Sequence, residues 1–426
     1  MDCSAAQKSI LKNRWPNKKR LDSQVMEQVK VIIEDVKKRG DVALSELTAK
    51  FDKAEVPQSR LRVEKEAVEQ AYEKMSNKQV SALEFAKNRV EGFQRKLLNQ
   101  LSFEYEFEEV KIRSCTSPIR RLGCYVPGGK AAYPSSLIMT ATPAKVAGVP
   151  EVVVCSPPKH GGEINPAILV AADICGVDEI YRIGGAQAVA AMAYGTEVIK
   201  PVDKLVGPGN KYVVAAKMLV SQDLPTDMPA GPSEIAVIAG DSADPCMVAL
   251  DMVSQAEHRD GVAVLVTTSK SLANSVVEEL EQTVVSLPNG DLVIPNLTKN
   301  GLILVCKDMD EAVGFVNAYA PEHLQVVAEN GWSIAEQVSS AGLILVGPYT
   351  PVAASDYCLG TVHVLPTEGF SHVYSGLSVL DFVKRFNVVE CSKKGLLKVK
   401  PNVKALAEAE GLTNHALAVE GRFRNA

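Results

Sequence analysis

Glu151-Val152-Val153-Val154-Cys155 is an almost wholly apolar run with no alternation of apolar and polar positions. A helical window follows it, Ile164–Cys175, then a second short run, Glu179–Ile183, and a second helical window, Ala186–Tyr194. Lys204–Val206 and a helix from about Asn210 to Val220 continue the series. Strands that are apolar on both faces and alternate with helices predict a parallel sheet covered on both sides. A second cycle follows Pro229-Ala230-Gly231-Pro232, with strands expected at Glu234–Ala239, Val262–Thr267, Leu302–Cys306 and Leu343–Val346. Its helices are expected near Asp244–His258, Ser271–Leu287 and Asp310–Tyr319. The chain therefore reads as α/β, with two doubly wound modules that change over near Tyr125 and Gly231.

Working outward, the first hundred residues read as helical. Val25, Met26, Val29, Val31, Ile32, Ile33 and Val36 lie among charges in Val25–Arg39, Gly40 supplies a stop, and Asp41 is the expected N-cap of the next helix. Glu64–Leu98 is amphipathic in the same style. Past about Leu377 the basic residues Lys384, Arg385, Lys393, Lys394 and Lys398 lead into a helical Val403–Glu410, read as a small appendage.

The composition narrows the class of function. With 51 acidic and 46 basic side chains among 426 residues, the net charge of −5 argues against nucleic acid as a main partner. No apolar stretch approaches the ~18 residues of a membrane span, and Met1–Trp15 lacks an apolar signal core. The nine cysteines are odd in number, contain no CxxC pair and fall partly inside apolar runs, so they read as buried thiols of a reducing compartment.

Neither GxGxxG nor GxxxxGK[ST] occurs. Three glycine clusters instead sit where a strand hands over to a helix: Val126-Pro127-Gly128-Gly129, Gly184-Gly185-Ala186-Gln187 and Gly207-Pro208-Gly209-Asn210. Tight turns need glycine anyway, but three such clusters in one module, two ending in an amide, also suit a phosphate-bearing ligand at helix N-termini. Of six histidines, only His160 precedes residue 258. Of the other five, all but His372 keep acidic or amide company: Gln255 and His258 share a helix face, Glu322 adjoins His323, Asp356 precedes His363, and Glu410 precedes His415. Gln255, His258, Asp356 and His415 make a donor set suited to Zn²⁺, although each alone reads equally as a cap or a surface group. Glu322-His323, stiffened by Pro321 before a strand entry, reads either as a paired acid and base or as a surface ion-binding loop.

Together these blocks resemble the histidinol dehydrogenase family over nearly the whole chain. The matching segments are Tyr125–Gly129, Gly207–Asn210, Ala230–Glu234, Ser254–His258, Ala320–Leu324, Ser355–Tyr357 running on to His363, and Glu410–His415. The resemblance implies a four-electron oxidation of L-histidinol to L-histidine through L-histidinaldehyde, with NAD as acceptor and one Zn²⁺ per subunit. It places zinc ligands on Gln255, His258, Asp356 and His415, and NAD contacts on Tyr125, Gln187 and Asn210. Substrate contacts fall on Ser233, His323, His363 and Glu410 besides the zinc ligands, and Glu322 and His323 form the catalytic pair. The implied architecture is two incomplete Rossmann-like modules with small helical N- and C-terminal extensions. Its units are 1–20, then 21–124 together with 233–377 bearing the metal and catalytic residues, then 125–232 for NAD, and 378–426 swapped onto a partner in a homodimer. No nucleic acid or membrane partner is expected, and the setting is the cytoplasm or, for a processed plant enzyme, the plastid stroma. The competing readings are a cysteine-dependent aldehyde dehydrogenase, a zinc hydrolase and a non-catalytic nucleotide-binding module.

Overall fold

The computed structural model describes residues 10–14, 23–128, 132–159, 161–258 and 260–423. Gly129, His160 and most of the 1–20 extension lie outside the described residues. The strands are β1 (Phe103–Phe107), β2 (Val110–Pro118), β3 (Arg121–Tyr125), β4 (Glu151–Ser156), β5 (Glu179–Arg182) and β6 (Lys204–Val206). They continue with β7 (Glu234–Ala239), β8 (Val262–Thr267), β9 (Gly301–Val305), β10 (His323–Val327), β11 (Leu343–Val346) and β12 (Val383–Cys391).

Two parallel sheets carry the fold, one four-stranded in the order β5-β4-β3-β6 and one five-stranded in the order β11-β10-β7-β8-β9. In each, the chain winds outward from a central strand (β3 or β7) and then returns to that strand's other side, the doubly wound arrangement. Val152, Val153 and Val154 are fully buried, and every residue of β7 is buried, because helices cover both faces. That two-sided burial is why these strands show no alternation in sequence.

The helix Ser23–Asp52 breaks at Gly40, whose φ of 53° lies outside helical geometry, as the glycine stop required. Ser76 and Gln79 form a reciprocal capping box that divides the expected Glu64–Leu98 helix into Lys65–Glu73 and Asn77–Asn99. These N-terminal helices, expected to group with 233–377, cover the four-stranded sheet: Val25, Val29, Ile33 and Leu44 share a core with Val153, Tyr181 and Val189. Val90 and Ala86 join the opposite face with Leu122 and Ile168. Amphipathic helices declare an apolar face but not which sheet will take it.

The C-terminal extension is only partly helical. β12 pairs antiparallel with β2 from Val383 against Pro118 to Cys391 against Val110, and β1 completes a third sheet. Its side chains are mostly exposed, so no burial pattern marked it as a strand. A helix at Gly290–Asn300, containing Pro295, was likewise not expected.

The amino end of the four-stranded sheet is closed by charge. Arg121, the first residue of β3, pairs with Glu151 at the start of β4 and with Glu179 at the start of β5, the latter at 2.5 Å. The segment between the sheets and the C-terminal strand is pinned by Gln94, whose buried Oε1 accepts the Val379 N–H at 2.7 Å. Gln94→Leu leaves that donor buried and unpaired, so urea unfolding should show a stability loss of about 1–3 kcal/mol.

Candidate active site

The amino end of the five-stranded sheet brings the acid–base residues together. The helix Met309–Tyr319 ends at Ala320, which turns the chain in a left-handed conformation at φ 49°. Pro321 then delivers Glu322 and His323 to the first position of β10, directly beside β7. Both side chains are buried. Glu322 Oε2 accepts the backbone N–H of Glu234 at 2.9 Å, and His323 Nδ1 lies 3.3 Å from the Glu234 carbonyl. Nδ1 is also 3.6 Å from Glu322, and Nε2 is 3.4 Å from Asp356 Oδ1. Burial raises the Glu322 pKa strongly. Burial works against protonated His323, yet the carboxylates of Glu322 and Asp356 on either side raise its pKa. The pair thus sets a carboxyl group and an imidazole side by side in a buried strand entry, two groups whose chemistry suits acid and base roles.

Around Asp356, at the end of the helix Val352–Tyr357, gather His363 and His258. His363 Nδ1 lies 2.8 Å from the Asp356 carbonyl, and burial lowers the His363 pKa. The helix bearing Gln255 packs against that of Asp356. The loop carrying His258 is braced by Asn296, whose Nδ2 donates to the carbonyls of Ala256 at 2.9 Å and His258 at 2.8 Å. Sequence reasoning missed Asn296, since a lone helical Asn carries no signal.

The donor chemistry here fits a metal. Asp356 Oδ1 is a buried carboxylate oxygen whose nearest polar neighbour, His323 Nε2, stands off at 3.4 Å, and it makes no close hydrogen bond, so it has lone pairs to offer a cation. Gln255, His258 and Asp356 come from one neighbourhood of this chain. His415 does not join them: it lies exposed on the helix Thr413–Glu420, which packs on Lys393–Ala409, and Glu410 lies exposed at that helix's end. Among the described residues, no three His, Cys, Asp or Glu side chains are grouped to hold a metal within the single chain.

The carboxyl end of the four-stranded sheet carries the glycine clusters, where doubly wound folds bind ligands. Tyr125 closes β3, and its buried hydroxyl accepts the Gly185 N–H at 3.2 Å. Gly207, at φ 124°, lies so close to the Tyr125 carbonyl that a Cβ would approach it to 2.1 Å, so only glycine fits. Its N–H donates to Asp227 at 2.8 Å and its carbonyl accepts from buried Lys217 at 3.0 Å. Asn210 is exposed and uses Oδ1 to cap the helix Lys211–Val220, accepting from Tyr212 at 2.9 Å. Only its Nδ2 is left to meet a ligand. Gln187 Nε2 and Ser156 Oγ are buried without partners at this end of the sheet.

Ser136, in the first turn of the helix following β3, reaches His363 Nε2 at 3.3 Å and so links the two ends. Ser233 precedes β7, and its carbonyl accepts the Val262 N–H at 3.1 Å. Asp52, missed in the sequence, places Oδ1 against Gly184 and buries Oδ2 without a partner. Burial pushes the Asp52 carboxyl up to about 6. The folded protein therefore holds this proton more tightly than the unfolded chain, and stability falls as pH rises between about 4 and 6. Asp52→Asn should have a higher Tm than the parent protein at pH 7, and the gap should close below about pH 4.

The histidinol dehydrogenase family model matches residues 16–423. A histidinol dehydrogenase of Methanothermobacter thermautotrophicus is 44% identical over 408 residues, covering 95% of each chain. One from Clostridium acetobutylicum is 43% identical, covering 95% of this chain and 93% of that one. The crystal structure of histidinol dehydrogenase from Elizabethkingia anophelis superposes with a TM-score of 0.93 at 35% identity, covering 99% of this chain and 96% of that one.

Proposed function

The chain belongs to the histidinol dehydrogenase family and is an oxidoreductase, and from that premise we propose that it oxidises L-histidinol to L-histidine through L-histidinaldehyde, using NAD and one Zn²⁺ per subunit. The observation that carries this reading is the buried Glu322–His323 pair, held from one side by the Glu234 backbone and flanked on the other by Asp356.

Zinc, held by Gln255, His258 and Asp356 with His415 of the partner subunit, would supply an orienting Lewis acid for the substrate's nitrogens, and NAD would accept hydride. His323 takes the alcohol proton as the first oxidation proceeds. Glu322 then serves as general base for a water that adds to the aldehyde. His323 removes a proton again from the resulting gem-diol, which completes the carboxylate. Ser233 and His363 line the substrate, and the carboxylate of Glu410 pairs with its ammonium group. Tyr125, Gln187 and Asn210 contact NAD. Their place at the carboxyl end of a doubly wound sheet supports that assignment.

The second subunit enters through what the single chain leaves uncovered. Phe103, Tyr105, Phe107, Phe386, Val388 and Val389 are exposed on the antiparallel sheet, and Leu406, Leu412 and Leu417 on the terminal helices. An apolar expanse of this kind fits a second copy of the chain, so that Glu410 and His415 complete the neighbour's site in a homodimer. Cys124 and Cys155 are poor candidates for a nucleophile, since burial pushes the Cys124 thiol up to about 12 and Cys155 higher still. The eight described cysteines form no disulfide. Among the described residues, no helix is long and apolar enough to cross a membrane.

The test is stoichiometry. Two NADH per L-histidinol, lost on chelation and regained with Zn²⁺, is the expected result, and one NADH per substrate overturns the assignment. Glu322→Gln should lower kcat by roughly 10²–10⁴-fold while zinc content is retained. Mixed dimers of Glu322→Ala and His415→Ala subunits should regain activity at one site of each pair. Absence of that complementation would show that the tail serves its own subunit.

A further inference from the structure

Arg14 belongs to a short N-terminal segment, yet its guanidinium is buried in the five-stranded unit, more than two hundred residues away in sequence. Ile10 and Leu11 pack beside it on the core of that sheet. Nη1 and Nη2 donate to the two oxygens of Glu234, each at 2.7 Å. Nε donates to the Tyr319 carbonyl at 2.6 Å, and Nη2 also reaches the Ala320 carbonyl at 3.2 Å. The guanidinium carbon lies 3.5 Å from the centre of the Tyr319 ring. The Glu234 carboxylate further accepts the Glu368 N–H at 2.9 Å and faces the Tyr319 hydroxyl at 3.3 Å.

These contacts join two chain segments at their functional ends. Glu234 is the residue whose own N–H and carbonyl hold Glu322 and His323. Tyr319 and Ala320 are the last residues before Pro321 delivers that same pair to β10. A single planar cation thus fastens the support of the pair and the approach to it. It also satisfies the terminal carbonyls of a helix that closes with a non-glycine residue at positive φ, a conformation that persists only when its surroundings impose it. Lysine has no planar fork with which to make this set of bonds.

We propose that Arg14 is a positioning residue for the Glu322–His323 pair, an inference that rests on the catalytic assignment made above. It contacts neither reacting group. It sets their geometry through the Glu234 main chain and the Ala320 turn.

The experiment compares the full-length, zinc-loaded enzyme with its Arg14→Ala, Arg14→Lys and Glu322→Gln variants, reading kcat per folded subunit, KM for L-histidinol, Tm and zinc content. A displacement of the pair of about an ångström should lower kcat of Arg14→Ala about 100-fold with little change in KM. Added guanidinium ion should restore much of that kcat, since it can refill the space between Glu234 and the Tyr319 ring. Arg14→Lys, which keeps the charge and guards against a folding failure of the alanine variant, should lose about tenfold, because ammonium cannot make the bidentate contact. The inference is overturned if kcat per folded subunit stays at the parent value in both variants. It is also overturned if only Tm falls, with full kcat recovered on cooling and no response to guanidinium. Loss of activity in Glu322→Gln beside normal Arg14 variants would leave the catalytic assignment standing and remove this inference alone. Full activity in Glu322→Gln would remove both.

Discussion

Glu234 is a buried carboxylate at the first position of a central parallel strand, and the candidate-site end of the molecule is arranged around keeping it there. A charge so placed is costly unless fully paired. Here it is met by a bidentate guanidinium, a backbone N–H and a tyrosine hydroxyl. Its main chain is thereby fixed and holds the neighbouring acid and imidazole from one side, while Asp356 lies on the other. The contacts run in series from ion pair to strand start to the Glu322–His323 pair.

The two sheets contribute opposite ends. One offers its carboxyl end, with glycine turns and helix N-termini, which suits an extended phosphate-bearing ligand. The other offers its amino end, where helices finish and strands begin, and there Gln255, His258 and Asp356 arrive at helix C-termini. The Ser136–His363 contact joins the two. The site proposed here draws on both, which is why no single linear fingerprint marks it.

The strands of the parallel sheets were legible because two-sided burial writes itself as unbroken runs such as Val152-Val153-Val154. Glu322, His323 and Asp356, which the structure groups, stood out in the sequence as types and spacings, and the family resemblance supplied the roles proposed for them. Three things were not. Exposed β12 carries no periodicity, since nothing on either face is buried within the chain. The packing of the N-terminal helices on the four-stranded sheet depends on shape, to which an apolar stripe is indifferent. Arg14, Asn296 and Asp52 act through contacts far away in sequence, and a lone polar residue announces no distant partner.

The charged closure at the starts of β3, β4 and β5 has a mechanical consequence. Arg121 ties three adjacent strands at one end, while the other end is built from turns whose polar groups partly lack partners. A sheet fastened in this way behaves like a fan: its small splaying motions are damped at the rivet and widen toward the rim. Local opening is thereby left to the edge that carries the glycine turns.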